Sequence, residues 1–405
     1  MRTIMLLDMD CFFASVEMAL HPELRGVPLC VGGLRGDRGI VACPNYEARK
    51  YGVRTAMPLR TAERLLPPEA QFVRGHHRLY GEYSERVMKT LEDFTPDVEQ
   101  VSIDEAYMDV TGCLHFWGGD PVRMAMAMKE RVRSACGLTV SIGVARARMC
   151  AKIAAGAHKP DGLVVVRPGE EEEFLTPLPV DVIPGIGPKT FEVMRARGIA
   201  TVGDLLREAR AGKSHIGQRV LERMVGAGEE VHRDRREQSM SRDTTFNEDT
   251  NDAGRIIATL YYLTERCCKA LRVDDLCATT VTVKVRFTDF HTMQKQATLD
   301  APTANEEDVF RTARRLLGMV LPPGRMIRLV GVKVSHLVPA GGAIGELEFG
   351  RRSSERLQQL HRKLDALQQK HGYQSIQWGI TYALRDVCEA SDEGYRLHSP
   401  VYELI

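Results

Sequence analysis

Apolar residues recur along the chain in two spacings, one typical of strands and the other of helices. In the first part of the chain, short apolar runs alternate with segments of helical spacing, a succession typical of α+β or α/β domains. The predicted strands are residues 4–7, 27–32, 39–43, 101–110, 139–145 and 163–166. The predicted helices are residues 11–20, 45–51, 79–92, 122–136 and 149–157.

The pattern changes at residue 239. Strand, helix, strand, strand, helix and strand follow over residues 239–246, 252–273, 278–287, 292–299, 305–319 and 326–337. This βαββαβ order predicts a separate sandwich of one sheet and two helices. Within residues 278–287 valines alternate with Thr282, Lys284 and Arg286, so one face should pack on helices and the other present cations and hydroxyls. That face favours contact with a phosphate backbone, although any half-exposed sheet has a polar outer side.

Two adjacent carboxylates, Asp104 and Glu105, interrupt the apolar strand predicted at residues 101–110. Burying a carboxylate without a partner is costly, so the pair requires a cation or a position at a strand end. The first strand likewise ends in Asp8. Together these residues predict one divalent-metal site built from both strands. Asp10 lies two residues after Asp8, on the same face by pleat geometry, and by position alone is an equal candidate.

Composition adds limits to this picture. A chain of 405 residues predicts two to four domains, and 55 basic against 54 acidic residues give no overall preference for a polyanion. Basic residues nevertheless concentrate in residues 49–78 and 139–160, where solvated helix faces are the alternative to phosphate contacts. Ten cysteines at scattered spacings indicate reduced thiols of an intracellular protein. No signal peptide or membrane span is expected, and an acidic run at residues 170–173 is expected to be a solvated helix face.

Residues 181–205 predict a small helical motif around a tight turn. Gly185 and Gly187 free the backbone to present consecutive N–H groups, and a helix beginning near Pro188 adds its N-terminal dipole; Lys189 follows. The motif looks like a helix-hairpin-helix, which holds a DNA phosphate without reading bases.

Several segments together resemble the Y-family translesion DNA polymerases, of the DNA polymerase IV (DinB) type, over roughly residues 3–340. The segments are Asp-Met-Asp-Cys-Phe-Phe-Ala-Ser-Val-Glu at 8–17, Asn-Tyr-Glu-Ala-Arg-Lys-Tyr-Gly-Val at 45–53, Ser-Ile-Asp-Glu-Ala-Tyr-Met-Asp at 102–109, Ser-Ile-Gly-Val-Ala at 141–145, Ala-Lys-Ile-Ala at 151–154, Lys-Pro-Asp-Gly at 159–162 and the Pro-Gly-Ile-Gly hairpin. Any one could arise by chance, whereas the set in one order is highly specific.

The resemblance implies an α+β multidomain fold, the right-hand polymerase. The palm would comprise residues 1–20 and 75–166, the fingers 21–74, the helix-hairpin-helix thumb 167–238 and the βαββαβ little finger 239–340. Residues 341–405 would be a linker and C-terminal tail, with a helix at 353–370 and turn composition from residue 389. The implied partners are primer-template DNA and deoxynucleoside triphosphates, and the expected protein is a cytoplasmic monomer.

The resemblance also implies roles for individual residues. Asp8, Asp104 and Glu105, with the carbonyl of Met9, would bind two Mg²⁺ ions, with Mn²⁺ as an alternative. The same matching gives the nucleotide site and the DNA contacts. Nucleotide-binding residues would be Phe12, Phe13, Cys43, Tyr46, Arg49 and Lys159, with Phe13 as the steric gate against a ribose 2′-hydroxyl; DNA-binding residues would be Gly185, Gly187, Lys189, Lys284 and Arg286. Asp10 is then expected at the helix start and Asp109 in a structural role.

The sequence departs from the family pattern in three places. Cys11 replaces a common aromatic, Cys43 stands where a Thr often meets the triphosphate, and Ala147-Arg148 replaces the usual Asn-Lys. A sliding-clamp peptide is expected at residues 345–349, where Leu347 and Phe349 keep the apolar pair but the usual Gln is missing.

Three other functions compete with template-directed DNA synthesis by two-metal nucleotidyl transfer. A catalytically inactive family member serving as a scaffold for repair proteins would have lost its carboxylates, and all three are present. An aspartyl phosphatase of the Asp-x-Asp type, suggested by Asp8-Met9-Asp10, needs Thr or Val where Phe12 stands. A glycosyltransferase would leave the hairpin and the basic sheet without a role.

Overall fold

The computed structural model describes residues 2–226, 231, 237–340, 348–385, 388, 390–391 and 394–395. The chain forms two compact units: the first contains residues 2–36 and 40–226, and the second contains residues 37–39, 237–340 and the described residues after them. The boundaries predicted between palm and fingers and between palm and thumb fall inside the first unit, and all the predicted domain boundaries stay predictions.

The first unit is built on a five-stranded sheet with a smaller sheet beside it. Its strands are β1 Ile4–Met9, β2 Leu29–Val31, β3 Cys43–Pro44, β4 Gln71–Val73, β5 Val98–Ser102, β6 Glu105–Asp109, β7 Val140–Ala145 and β8 Leu163–Val165. The large sheet has the order β5-β6-β1-β7-β8, in which only β7 and β8 are parallel, and the small sheet has the order β3-β2-β4.

Ten helices complete the described part of this unit. They are α1 Phe12–Leu20, α2 Tyr46–Lys50, α3 Leu59–Leu65, α4 His77–Glu92, α5 Pro121–Cys136, α6 Arg148–Ala157, α7 Glu171–Leu175, α8 Pro188–Ala196, α9 Val202–Arg210 and α10 His215–Met224. Short 3-10 helices lie at Pro22–Leu24, Leu114–Trp117 and Val180–Val182.

The central strand β1 is buried on both faces. Met5 and Leu7 belong to one apolar core, and Ile4 and Leu6 belong to another on the opposite side of the sheet. A strand covered on both sides reads as a continuous apolar run, which is the pattern found at residues 4–7. The polar residues at the end of this strand therefore lie at the edge of the two apolar cores.

The second unit has the predicted βαββαβ order. Its elements are β9 Ser239–Thr250, α11 Ala253–Val273, β10 Leu276–Phe287, β11 Thr292–Thr303, α12 Glu306–Val320 and β12 Ile327–Pro339. The antiparallel sheet has the order β11-β10-β12-β9. Val281, Val283 and Val285 are fully buried in the core under the helices, so the predicted alternation along β10 is confirmed.

After β12 the chain adds α13 Glu348–His371, 3-10 helices at Tyr373–Ser375 and Gly379–Leu384, and the two-residue strands β13 Ala390–Ser391 and β14 Gly394–Tyr395. Tyr373 and Tyr395 pack against Tyr262 of α11. Tyr395 lies in the segment predicted to have turn composition, and its side chain is buried against α11. Leu360 and Leu367 of α13 are exposed, whereas His361 and Gln368 are buried.

Three further predictions need correction. Residues 101–110 do not form one strand, because the chain reverses between β5 and β6 at residues 103 and 104. Residues 39–43 contribute only an isolated bridge from Ile40 to Pro58 before β3 begins. The acidic run at residues 170–173 is not wholly solvated, since Glu171 is buried and forms an ion pair of 2.7 Å with Arg146.

Candidate active site

Three carboxylates meet at one edge of the central sheet. Asp8 and Glu105 are direct partners in the antiparallel pairing of β1 and β6, and Asp104 precedes Glu105 in the turn from β5. The amide of Met9 donates to the carbonyl of Asp104 over 2.9 Å. The hairpin turn resolves the cost of an acidic pair in an apolar strand, because both residues lie at a strand end.

Two lysines hold two of these carboxylates. Nζ of Lys152 donates to both carboxylate oxygens of Glu105 over 2.7 Å, and Lys159 forms an ion pair with Asp8. The hydroxyl of Ser102 donates to Oδ1 of Asp104 over 2.6 Å. Each of the three carboxylates therefore has a defined donor.

The position of Lys152 depends on a close crossing of α6 over β7. A side chain at Gly143 would stand 2.0 Å from the carbonyl oxygen of Ala151 and 2.3 Å from the amide of Ala155. Only glycine permits this approach of helix to strand, so the Ser-Ile-Gly segment brings Lys152 over the acidic edge.

The pKa of Asp8 reflects its burial first and its charged neighbours second. Burial raises the pKa of its carboxyl to about 6, Lys159 lowers this pKa, and the nearby charges of Asp104 and Glu105 raise it again. A cation near this edge would relieve the repulsion among the three carboxylates.

The donor set suits a hard divalent cation, because Mg²⁺ and Mn²⁺ prefer carboxylate and carbonyl oxygens. Over the described residues, no three His, Cys, Asp or Glu side chains already surround a common point. Asp8 and Glu105 point instead to their lysines. Binding an ion at this edge therefore requires these side chains to share their oxygens with it or turn away from the lysines.

Asp10, two residues after Asp8, is engaged in hydrogen bonds of its own. Its side chain is buried and accepts from the hydroxyl of Ser141 over 2.8 Å and from the amide of Asp161 over 2.7 Å. The residue that caps α1 is Cys11, in a left-handed conformation with φ of 36°. Asp10 thus ties the end of β1 to strand β7 and to the loop before β8, and the expectation of a helix-start role is wrong.

The predicted phosphate-binding pair lies on α2. Arg49 stacks over the ring of Tyr46, with 5.1 Å from guanidinium carbon to ring centroid, as expected for positions three apart on a helix. The hydroxyl of Tyr46 lies 3.4 Å from Oδ1 of Asp10, and Nε of Arg49 donates to the carbonyl of Pro44 over 3.1 Å. These contacts fix the pair close to the acidic edge.

Phe13 and Phe12 are both buried at the start of α1. The ring of Phe13 stacks on Tyr80 of α4 with 4.3 Å between centroids and 14° between planes. Tyr80 is held in turn by donating its hydroxyl to Oε1 of Glu17 over 2.5 Å. The orientation of the Phe13 ring is therefore set by α4.

Two of the residues that depart from the family pattern, Cys43 and Arg148, lie inside the fold. Cys43 is buried, and burial raises the pKa of its thiol to about 12, so it stays protonated. Arg148 forms an ion pair with the buried Glu99 and lies 4.1 Å from the ring centroid of Tyr107. Its guanidinium is thus engaged within the fold.

The helix-hairpin-helix candidates are exposed. Gly185, Gly187 and Lys189 face solvent before and at the start of α8, while Ile183 and Ile186 are buried beneath them. In the second unit, Lys284 pairs with Asp243 and Arg286 donates to Thr292 over 3.0 Å on the polar face of the sheet.

The clamp candidates cannot be described in the same way. Leu347 lies outside the described residues, and Phe349 lies in the first turn of α13, where side chains are outside the description. Their role stays a prediction.

The sequence did not predict three residues that hold predicted site residues in place. They are Ser102, which donates to Asp104, Tyr80, which stacks on Phe13, and Lys152, which donates to Glu105. Lys152 belongs to a matched segment, but its partner Glu105 lies 47 residues away. Ser102 had a local signal, since it lies two residues before Asp104 at a strand end. Nothing near Tyr80 in the sequence points to Phe13.

The described part of the chain has no helix that is both long and apolar enough to cross a membrane.

Comparison with known proteins follows the same division of the chain. The impB/mucB/samB family matches residues 7–156, and the impB/mucB/samB family C-terminal domain matches residues 237–347. A DNA polymerase IV of Dehalococcoides mccartyi is 40% identical over 394 residues, covering 95% of this chain and 99% of that protein. A DNA polymerase IV of Methanoculleus marisnigri is 42% identical over 348 residues, covering 83% of this chain and 94% of that protein.

Solved structures agree. A Y-family DNA polymerase chimera of Dbh and Dpo4 is similar with a TM-score of 0.73 at 30% identity, covering 83% of this chain and 99% of that chain. An insertion ternary complex of Dbh DNA polymerase is similar with a TM-score of 0.57 at 29% identity and the same coverage.

Proposed function

The chain belongs to the impB/mucB/samB family and is a Y-family DNA-directed DNA polymerase, and we propose that its acidic edge carries out nucleotidyl transfer in translesion synthesis. The observation that carries the proposal is the direct pairing of Asp8 with Glu105 beside Asp104. The substrates are inferred to be primer-template DNA and deoxynucleoside triphosphates.

Asp8, Asp104 and Glu105, with the carbonyl of Met9, would hold two divalent ions. When bound, the ions would lower the pKa of the primer 3′-hydroxyl and stabilise charge on the phosphate oxygens. Mg²⁺ is the expected metal and Mn²⁺ the alternative. The raised pKa of Asp8, which comes first from burial and to a smaller extent from the charges of Asp104 and Glu105, is consistent with a site that a cation would stabilise.

Tyr46, Arg49 and Lys159 would bind the β- and γ-phosphates. A guanidinium offers paired donors to phosphate oxygens, and an ammonium acts as a point charge. Lys159 already lies against Asp8, so its charge is available where a triphosphate and the carboxylates would meet. Phe13 would lie under the sugar and exclude a 2′-hydroxyl, with Phe12 and Cys43 lining the same region.

The remaining contacts would be to the DNA backbone. The exposed amides at Gly185 and Gly187, beside Lys189, suit a phosphate at the N-terminus of α8. Lys284 and Arg286 suit phosphates along the polar face of the second unit. A sliding clamp bound through Leu347 and Phe349, a monomeric state and cytoplasmic action complete the proposal.

Primer extension with Mg²⁺ tests the central claim. Asp104→Ala should lower the extension rate by at least about a thousandfold, since the loss of several kcal/mol of transition-state stabilisation corresponds to that factor. Asp109→Ala is the matched control, because Asp109 lies at the far end of β6 from Asp104 and accepts hydrogen bonds from Thr111 and Arg2. The control should extend primers at close to the wild-type rate, and full extension by Asp104→Ala would refute the metal assignment.

The inactive-scaffold alternative makes the opposite prediction. It requires that the wild-type protein extend no primer on undamaged or damaged templates. The retention of all three carboxylates argues against it, and the phosphatase alternative loses its Asp-x-Asp pair because Asp10 is buried in structural hydrogen bonds.

A further inference from the structure

A groove of about 790 Å³ lies in the second unit, between α12 and the 3-10 helix Gly379–Leu384 with the residue before it. Tyr261 of α11 contributes the floor, Phe310 one wall, and Trp378 with Ile380 the other. None of the described residues that line this groove was assigned to catalysis or to DNA contact.

The interior of the groove is apolar and aromatic. Tyr261 is 6% exposed and packs edge-on against Phe310, with 4.8 Å between centroids and 74° between planes. Trp378 approaches Tyr261 at 6.3 Å and 63°. The rings cover one another, so they form a well for an apolar side chain.

The rim is strongly basic. Arg311, Arg314 and Arg315 line the groove, and their spacing of three and four residues places them along one side of α12. All three are exposed; Arg311 has only a loose pair with Asp308 at 3.6 Å. Within the described chain, neither Arg314 nor Arg315 forms an ion pair. Among the described residues, Glu307 is the one acidic residue that lines the groove.

We propose that this groove docks an acidic peptide segment of a partner protein, with one apolar side chain in the aromatic well and carboxylates on the arginine rim. Guanidinium groups bind carboxylates with paired hydrogen bonds, and an apolar anchor in a pocket supplies the main binding energy of such contacts. The arginine rim therefore favours peptides with acidic residues, and the aromatic well favours peptides with an apolar side chain among them.

A single-stranded nucleic acid fits the groove less well. Bases need exposed ring faces for stacking, and here the rings pack edge to face with Tyr261 almost covered. The groove also lies on the outer side of the helices, while Lys284 and Arg286 lie on the opposite face of the sheet from the buried valines. A peptide could therefore bind without displacing DNA from that face.

The groove depends on the C-terminal extension. Trp378 and Ile380 lie beyond residue 347, where the match to the family's C-terminal domain ends. The partner surface is thus built jointly by the sheet-and-helix domain and the segment that follows it.

Gly318 provides a direct test. It lines the groove, and a side chain added there meets nothing within 4 Å. Gly318→Trp should therefore fill the groove without distorting α12, and Gly318→Ala is its matched control. Arg314→Glu with Arg315→Glu reverses the rim charge, and Lys363→Glu with Lys370→Glu makes the same change of charge at exposed positions of α13.

Peptides would be selected from a random phage library on the full-length wild-type protein, with counter-selection on Gly318→Trp. The selected peptide, synthesised with a fluorophore, would be titrated by anisotropy. We expect the selected peptides to carry acidic residues around one aromatic or aliphatic residue. Gly318→Trp and the arginine reversal should each weaken peptide binding at least about tenfold. The two control variants should bind the peptide as the wild type does. Primer extension should be unchanged in every variant.

Three results would overturn the inference. They are a failure to enrich any groove-dependent peptide, enrichment of basic or uncharged peptides, and preferential binding of an oligo(dT) probe that the same variants abolish. The last would assign the groove to single-stranded DNA. None of these results bears on polymerase activity, which the Asp104 variant tests separately.

Discussion

Individual residues at the acidic edge carry opposing electrostatic effects. Asp8 is held by Lys159 yet has a raised pKa, because its burial and two carboxylate neighbours outweigh that cation. Asp109, at the far end of β6, shows the contrary balance. Burial would raise its pKa, but the hydroxyl and amide of Thr111 and the guanidinium of Arg2 hold that pKa below its ordinary value.

This contrast predicts how stability depends on pH without divalent ions. The pKa of Asp8 is about 6 in the folded protein against 3.8 for an unperturbed carboxyl. Between these values the folded state binds more protons, so the contribution of Asp8 to the free energy of unfolding falls as pH rises. Relative to wild type in EDTA, Asp8→Asn should therefore gain up to about 3 kcal/mol between pH 4 and pH 7.

Urea unfolding of both proteins at a series of pH values measures this gain. Asp109→Asn is the control, and its stability relative to wild type should change with pH in the opposite direction. A lowered pKa stabilises the folded state above the unfolded value, so this variant should lose stability relative to wild type as pH rises. A stability difference for Asp8→Asn that does not vary with pH would contradict the assigned environment.

Phe13 carries the prediction for sugar selection. Phe13→Ala removes the ring that stacks on Tyr80, so a 2′-hydroxyl would meet open space. Discrimination against ribonucleotides, measured as the ratio of kcat/KM values, should fall by at least about a hundredfold, which corresponds to about 3 kcal/mol. Incorporation of deoxynucleotides is the internal control. Unchanged discrimination would remove Phe13 from this role.

At the level of elements, short structures position the chemistry. The turn between β5 and β6 brings Asp104 to the sheet edge, and the crossing of α6 over Gly143 places Lys152 there. The same helix carries Arg148 into its pair with Glu99. Removing Arg148 would leave Glu99 as a buried carboxylate without a counter-charge, so the role of Arg148 is to stabilise the fold.

The hairpin before α8 allows a matched pair of glycine substitutions. Gly185 has φ of 102°, a region that other residues rarely adopt, while Gly187 has φ of −86°. Both face open space. Gly185→Ala should destabilise the protein by about 1 kcal/mol and weaken binding to primer-template DNA, because the strained turn no longer presents its amides. Gly187→Ala should cause no comparable strain.

Thermal unfolding and DNA titration at fixed salt measure the two effects. If both alanine variants lowered DNA affinity equally, backbone conformation at Gly185 would not be the cause. If neither did, the hairpin would have no role in holding DNA.

Across the whole molecule, the C-terminal extension completes the second unit. Arg272 of α11 is buried between Glu306 of α12 and Asp365 of α13, with contacts of 2.7 Å to each carboxylate. Glu265 is likewise buried and accepts from the hydroxyl of Tyr373 over 2.7 Å. The extension therefore supplies the hydrogen-bond donors of Glu265 and one of the two carboxylates that pair with Arg272.

A chain ending at residue 340 should therefore have a less stable second unit. The loss of Asp365 and Tyr373 leaves buried charges short of partners, and removal of one partner from such a pair costs about 3 to 5 kcal/mol. Calorimetry with limited proteolysis should show a lower unfolding temperature for this unit. Asp365→Asn in the full chain isolates the ion pair, and an unchanged transition in the truncated chain would show that the extension is dispensable.

The sequence alone determined the order of elements in the second unit and the identity of the metal-binding candidates. The period-two alternation along β10 and the βαββαβ order need only local patterns, because each strand or helix shows its buried face in its own residues. Asp8, Asp104 and Glu105 stood out because carboxylates are rare beside apolar strand residues. The resemblance to a family then supplied the architecture.

Only the tertiary structure decided which side chains meet. The reversal between β5 and β6 is hidden, because apolar strand formers continue on both sides of it. Lys152 finds Glu105 across 47 residues and Arg148 finds Glu99 across 49, and Glu171 is buried by Arg146 despite its acidic neighbours. Such contacts depend on how elements cross in space, which local spacing does not encode.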